Sequence, residues 1–313
     1  MTLARGAGAV LLAAVPFLRA TGMQQYVLHV MIQVLIWSFI GGAWSLMGRF
    51  GLVSLGHGAF LGLGAYTTVL LAVLLGALVA YPCSRFQVIG HYFGLVTLAV
   101  VEVVRLLIIA ERDWTGGSLG LSLKPAQGDS LLAMQFADKT VFYYASLLLW
   151  LAGLLVWRRV DRSMARSAME AIGEDETAAA SVGIHVTRFK VGMTALSAAL
   201  TAVGGVAYAQ YISYVNPDTL AGIGVSLRIV FAVVLGGMYS LLGPTVGTAL
   251  TIALSEYLRI VLGLKFIGMA ETIYGLLLIL FIIFLPAGIY GSLASLVSRV
   301  RRGTMVAGSA GPA

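Results

Sequence analysis

The side chains best placed to do chemistry in this chain are polar groups set inside apolar stretches. Gln25, His29 and Gln33 recur every four residues, and Trp37 continues the series. On a helix they form one polar stripe. Such a stripe faces a bundle interior or a water-filled path, where it either lines that path or bonds a neighbouring helix. Glu102 and Arg105 are three apart, as are Glu256 and Arg259, so each pair can meet on one helix face. Charges at membrane depth are expensive and often functional. These pairs fit proton or ion sites, or they neutralise each other in place. Arg228 and Glu271 have no local partner and lie near span ends, where snorkelling is easy. His57 sits between Gly56 and Gly58. It can hydrogen-bond a solute or lock the turn to a backbone carbonyl.

Soluble catalysis finds little support. No Gly-Lys dipeptide occurs, so a phosphate-cradling P-loop is absent, and there is no H-E-x-x-H pattern. Cys83 is the single cysteine, which rules out an intrachain disulfide and a paired-cysteine metal site. His29, His57, His91 and His185 are far apart in sequence. The expectation is a chain that is not an enzyme and binds no metal or cofactor itself.

The elements that position these groups follow from composition. Of 313 residues, 59% are hydrophobic and 11% charged, too few to cover a water-soluble globule. Apolar runs fall at 6–20, 25–48, 51–81, 91–110, 140–157, 191–212, 226–241, 244–262 and 270–290. A helix needs about 20 residues to cross a hydrocarbon core of about 30 Å. The fold class expected is therefore all-α: one polytopic transmembrane bundle over 1–313. The net charge of +7 reads as a topology signal, with no nucleic-acid partner implied. Residues 6–18 have the look of a signal-peptide core, but no convincing cleavage site follows, so 6–20 reads as a first span.

Basic residues orient the spans. Arg158, Arg159, Arg162 and Arg166 follow the fifth segment, and Arg299, Arg301 and Arg302 end the last, so both places should be cytoplasmic. Residues 111–139 then form an outer loop, while Arg49 and Arg85 fall inside. Segment 51–81 must cross twice with 31 residues where about 40 are needed, so it should be a compressed or re-entrant hairpin. About ten passes result, with both termini cytoplasmic. Gly56, Gly58 and Gly62 make this segment glycine-dense, as Gly236, Gly237, Gly243 and Pro244 do a later one. Glycine permits close helix crossings or non-helical backbone beside a cavity, so both segments are packing sites or parts of a pathway. The two could also be corresponding parts of an internal repeat.

The loop 158–190 carries six basic and five acidic residues within "RRVDRSMARSAMEAIGEDETAAASVGIHVTRFK". Residues 165–182 read as one amphipathic helix, with Ala168, Met169, Ile172, Ala179 and Val182 on or near one face. Gly183 fits a left-handed C-terminal cap, and Thr187 the cap of the next helix. A short helix held between two spans suits docking to a partner, or is a solvated connector.

From Ala168 to Ala209 the chain resembles the cytoplasmic coupling loop and following span of bacterial branched-chain amino acid ABC transporter permeases, the LivM-type subunit. "FGLVSLGHGAFLGLGAYT", "YFGLVTLAVVEVVRLL" with "TGGSLGL", and "VVLGGMYSLLGPTVGTAL" resemble that family's other motifs in the same order. The resemblance implies a permease in a cytoplasmic (inner) membrane, among lipid. It would pair with a second similar permease subunit, two cytoplasmic ATPase subunits carrying ATP and Mg, and a periplasmic substrate-binding protein. It also implies that Glu170, Ala171, Gly173, Glu174, Asp175, Glu176, Ala179 and Gly183 contact the ATPase. Closure of the ATPase pair would then rock the membrane halves. The family has a longer stretch between "GAYT" and "YFGLVTLAV", so a span or outer loop is missing or merged here. An ion-coupled secondary transporter of small polar solutes is the alternative, and it leaves the 158–190 loop idle.

Overall fold

A computed structural model of the chain describes residues 24–88, 90–123, 138–262, 269–284 and 288–290. Its long helices are α1 (Gln24–Gly48), α2 (His57–Tyr66), α3 (Val69–Arg85) and α4 (His91–Ala110). A helical turn α5 (Arg112–Thr115), a 3-10 turn (Gly117–Leu119) and a strand β1 (Leu121–Ser122) follow. Then come α6 (Lys139–Asp161), α7 (Met164–Glu174), α8 (Glu176–Ser181) and α9 (Val186–Ile212). Strand β2 (Tyr214–Val215), α10 (Pro217–Leu220), α11 (Ile223–Gly236), α12 (Gly243–Leu262) and α13 (Met269–Phe284) complete the described chain. Among the described residues, five helical stretches are long and apolar enough to cross a membrane, as the all-α polytopic expectation requires. The first expected span, 6–20, and the basic end at 299–302 lie outside the described residues.

Helix α9 is the centre of the bundle, packed against α1, α2 and α3. In lipid no hydrophobic force drives apolar helices together, so close packing and hydrogen bonds must hold them. The α2–α9 crossing shows how close the backbones come. A Cβ on Gly64 would lie 2.2 Å from the Ala202 carbonyl oxygen, and one on Gly205 2.3 Å from that of Leu61. Trp44, Ile36, Ile40 and Leu61 fill the adjoining core and are fully buried. Leu70, Leu74 and Leu78 of α3 and Leu148 and Leu155 of α6 are exposed, a surface for lipid or for another subunit.

One end of the bundle carries Arg49, Asp161 and the 158–166 arginines. The opposite end is tied by β1 and β2, paired antiparallel with Leu121 opposite Val215 and Ser122 opposite Tyr214. This small ribbon joins part of the 111–139 loop to the turn after α9; residues 124–137 lie outside the described chain.

Segment 51–81 folds as a hairpin of two arms, and the shortage of residues has a physical answer. The first arm is only partly helical. Residues 52–56 are non-helical, and α2 begins at His57. Non-helical backbone can advance up to about 3.5 Å per residue where helix advances about 1.5 Å, so residues 52–56 lengthen the reach of the short α2. This fits the compressed hairpin expected from the sequence: the chain gains reach by leaving the helix at 52–56. Thr67 and Thr68 then separate α2 from α3, which returns toward the basic end.

Substitutions on one helix should act with opposite sign. Gly205→Val should lower stability by about 1–3 kcal/mol, the usual cost of overpacking. Gly192, on the same α9, has nothing within 4 Å of a built Cβ. Gly192→Ala should be neutral or gain up to about 1 kcal/mol. Thermal unfolding of the detergent-purified protein checks both.

Candidate functional site

Non-helical backbone at membrane depth needs partners for its amides and carbonyls. Residues 52–58 receive them from side chains on three other helices. The Trp44 indole N–H donates to the Ser54 carbonyl at 2.8 Å, and the Leu55 amide donates to Thr97 Oγ at 3.0 Å. The Gly56 amide reaches Ser54 Oγ at 3.1 Å, and the Gly58 amide reaches Ser226 Oγ at 2.8 Å. His57 is wholly buried in this network. Its Nε2 lies 2.8 Å from Ser197 Oγ, and its Nδ1 3.3 Å from Ser54 Oγ. The Ser197 hydroxyl donates its own proton to the Ala43 carbonyl at 2.8 Å. The network therefore assigns the ring proton to Nε2. His57 bonds hydroxyls where the sequence suggested a backbone carbonyl, and it joins α1, α2 and α9. Gly56, Gly58 and Gly62 admit neighbours where a side chain would collide: Thr97, the Gly222 carbonyl and Ala221.

The second glycine-dense segment does something different. Gly236 ends α11, Gly237 has φ +107°, and Gly243 starts α12 with Pro244 in its first turn. A Cβ at Gly236 would sit 1.9 Å from the Gly243 carbonyl, and one at Gly247 1.9 Å from that of Ala232. This is a tight crossing of two helices rather than a solvated break, so the two segments are not equivalent in structure.

Above that crossing lies a polar cleft of 290 Å³ between α1, α9, α11 and α12. Gln33, Trp37, Tyr208, Arg228, Thr251 and Glu256 are among its walls. The expected stripe divides here. His29 bonds the Tyr211 hydroxyl through Nδ1 (2.6 Å) and Gln33 through Nε2 (2.9 Å), Gln33 faces the cleft, and Gln25 is exposed. Glu256 accepts from Arg259 at 2.7 Å and from the Tyr26 hydroxyl at 3.0 Å, both through Oε2. Arg105 holds Glu102 and also Asp218, the latter at 2.8 Å, a partner 113 residues away that no local pattern reveals. Glu271 has no described side chain.

At the basic end, the expected single helix over 165–182 is two. Asp175 leaves the helical conformation, and its carboxylate accepts from the amides of Thr177 (2.7 Å) and Ala178 (3.0 Å), capping α8. The Ala178 amide, then that of Thr177, holds this carboxyl below its ordinary range. Met169, Ile172 and Ala179 are buried in one cluster with Phe50, Val79, Trp157 and Met193, and Ala168 is also buried, whereas Val182 is exposed. Gly183 does adopt a left-handed conformation, φ +90°. The next helix starts at Val186 with His185 before it, so Thr187 lies inside α9 and is not its cap.

The pair of short helices is tied down by charge. Lys190 of α9, buried, bonds Glu176. Asp161 Oδ1 takes Arg49 at 2.8 Å and Arg166 at 3.3 Å, and Arg166 holds Glu170 at 2.7 Å. The Arg49 guanidinium also stacks over the rings of Trp157 (4.2 Å) and Phe50 (4.6 Å). Glu170, Gly173, Glu174, Asp175 and Gly183 remain exposed; Ala171 is half-buried, Glu176 is engaged and Ala179 is inside. Ala179 is thus withdrawn from the surface set expected from sequence. Clefts of 550 and 670 Å³ flank α7, and Glu174 borders both.

The sequence family described as the permease component of branched-chain amino acid transport systems matches residues 26–285. The chain belongs to that family. It is similar to the high-affinity branched-chain amino acid transport system permease protein LivM of Salmonella typhimurium strain LT2 and to that of Escherichia coli strain K12. Each is 28% identical over 321 residues, covering 90% of this chain and 72% of the relative. No solved structure matches at a significant level. Membership makes the chain a multi-pass inner-membrane transport subunit rather than a catalyst, and one that works within a larger assembly. Among the described residues no cluster of His, Cys, Asp and Glu could hold a metal ion.

In this permease the support of the broken pass was absent from the sequence reading. Ser54, Thr97, Ser197 and Ser226 carry it, and isolated hydroxyls in apolar spans give no local signal. Ser197→Ala leaves the His57 Nε2–H without an acceptor and should cost about 1–3 kcal/mol. The melting temperature should fall, while the rank order of transported solutes stays that of the wild type.

Proposed function

We propose that this chain is the gate-forming permease of an ATP-binding cassette importer for branched-chain or related amino acids, with its basic end and both termini in the cytoplasm. A second permease would complete the pathway, two ATPase subunits would bind ATP and Mg, and a periplasmic binding protein would deliver the solute. The observation that carries the mechanism is the construction of α9. Near its basic end it holds the exposed platform α7–α8 through Lys190 and Glu176; further along it holds His57 through Ser197 and crosses α2 at Gly205. A push on the platform from an ATPase closing on nucleotide would therefore reach the broken pass through one continuous helix. Drive requires that the ATPase contact the platform differently in its two states. Glu170, Gly173, Glu174 and Asp175 present the surface for that contact.

The pairing of charges weighs against ion coupling. Glu102 and Glu256, the acids that could carry a proton, are each held by an arginine three residues away.

Uptake by the complete transporter in vesicles should follow ATP and persist after a protonophore collapses the proton gradient. Uptake that stops with the gradient and ignores ATP would favour ion coupling. Glu174→Lys should cut uptake at least about tenfold with normal membrane insertion, because it reverses charge on the docking face. Glu176 is a poorer test, since its loss strands Lys190. Asp175→Ala, which removes the α8 cap, should lower ATP-driven uptake, and Asp175→Asn, which keeps an acceptor, should largely restore it.

A further inference from the structure

The cleft between α1, α9, α11 and α12 has a graded chemistry. Helix α1 runs away from the ribbon end as numbers rise, as does α11, while α12 runs toward it. Arg228, Glu256 and Arg259 therefore lie at the ribbon end of the cleft, and Trp37, Ile229 and Ile252 line it deeper. Below them Gly41 closes the floor: a Cβ there would lie 3.1 Å from Val233, 3.5 Å from Pro244 and 3.6 Å from Thr248. The tight Gly236–Gly243–Gly247 crossing seals the space beneath. The close packing at its foot shuts the cleft toward the basic end.

Its charges are incompletely used. Among the described residues Arg228, exposed near the start of α11, has no carboxylate within ion-pair distance. Glu256 spends only Oε2 on Arg259 and Tyr26, and no described donor reaches Oε1. A guanidinium and a carboxylate oxygen that have no partner among the described residues, in one 290 Å³ cleft, can take a carboxylate and an ammonium together. The apolar side chains below them suit an aliphatic group.

We infer that this cleft is a binding site for a zwitterionic aliphatic amino acid within the pathway, with Arg228 taking its carboxylate and Glu256 its ammonium. The inference rests on the import reading above and adds to it the residues that recognise the solute. The carboxylate aligned with Arg228 gains a charge-assisted bidentate contact, and the side chain enters between Trp37, Ile229 and Ile252.

The test uses the complete transporter in membrane vesicles. Ser255, on the exposed wall, is changed to cysteine (Ser255→Cys); native Cys83 is buried and adds little background. A membrane-impermeant thiol reagent should label it from the ribbon side. Millimolar L-leucine should slow labelling at least about twofold, as half-occupancy requires, and 3-methylbutylamine, which lacks the carboxylate, should not. In the same background Arg228→Gln should abolish protection. As a single substitution it should lower uptake at least about tenfold at normal membrane abundance, and Arg228→Lys, which keeps the charge but not the bidentate fork, should recover only part of the loss. Equal protection by the amine, no protection by leucine, or unchanged uptake in Arg228→Gln would overturn the assignment. Wild-type vesicles without ATP-driven uptake would instead overturn the import reading itself, so the two failures are distinguishable.

Discussion

A peptide group in hydrocarbon must find its hydrogen bond within the protein, and this chain departs from helix for part of one hairpin arm. Everything distinctive about the bundle follows from that decision at residues 52–56. Several of the backbone groups there have drawn a side chain toward them: an indole from α1, a threonine from α4 and, for the Gly58 amide in the first turn of α2, a serine from α11. Leaving even one buried group unpaired costs about 1–3 kcal/mol, so these contacts come as a set. The glycines are the geometric counterpart, since side chains on Gly56 or Gly58 would occupy the space those donors and acceptors need.

The same constraint explains why α9 is both the most surrounded helix and the one with the most small and hydroxylated residues on its inner face. Ser197, Ala198, Thr201, Ala202 and Gly205 are all buried. Small side chains let α2 and α3 approach, and hydroxyls replace what the broken pass lacks. At the basic end the contacts change character, from neutral hydroxyls to the buried Lys190–Glu176 pair and the Arg49–Asp161–Arg166 chain. A charged cluster at the membrane boundary keeps partial access to water, so its desolvation is cheaper than it would be at mid-depth.

Much of this was legible in the residues. The spans, the glycine-dense breaks, the i,i+3 ion pairs and the left-handed Gly183 all follow from local rules, because each depends on near neighbours in sequence. The partly helical arm was legible only as an arithmetic deficit: 31 residues could not make two full helical crossings, which called for a compressed segment without saying which residues leave the helix. Asp175 was misread for a related reason. An aspartate within an alanine-rich run looks like a tolerated helix residue until its carboxylate is seen on the Thr177 and Ala178 amides. Arg105 with Asp218, Arg49 with Asp161, and His57 with Ser197 had no signal, since those partners meet only through tertiary packing.

The broken pass also dictates an order of events during synthesis. Its partners Thr97, Ser197 and Ser226 emerge 42, 140 and 168 residues after the groups they satisfy. Residues 52–58 cannot rest in lipid alone during that interval, because their unpaired amides and carbonyls would face hydrocarbon. The segment must stay in water, or within the insertion machinery, until α9 and α11 have been made. The ribosome is then most of the way along the chain before the early motif can take its final place.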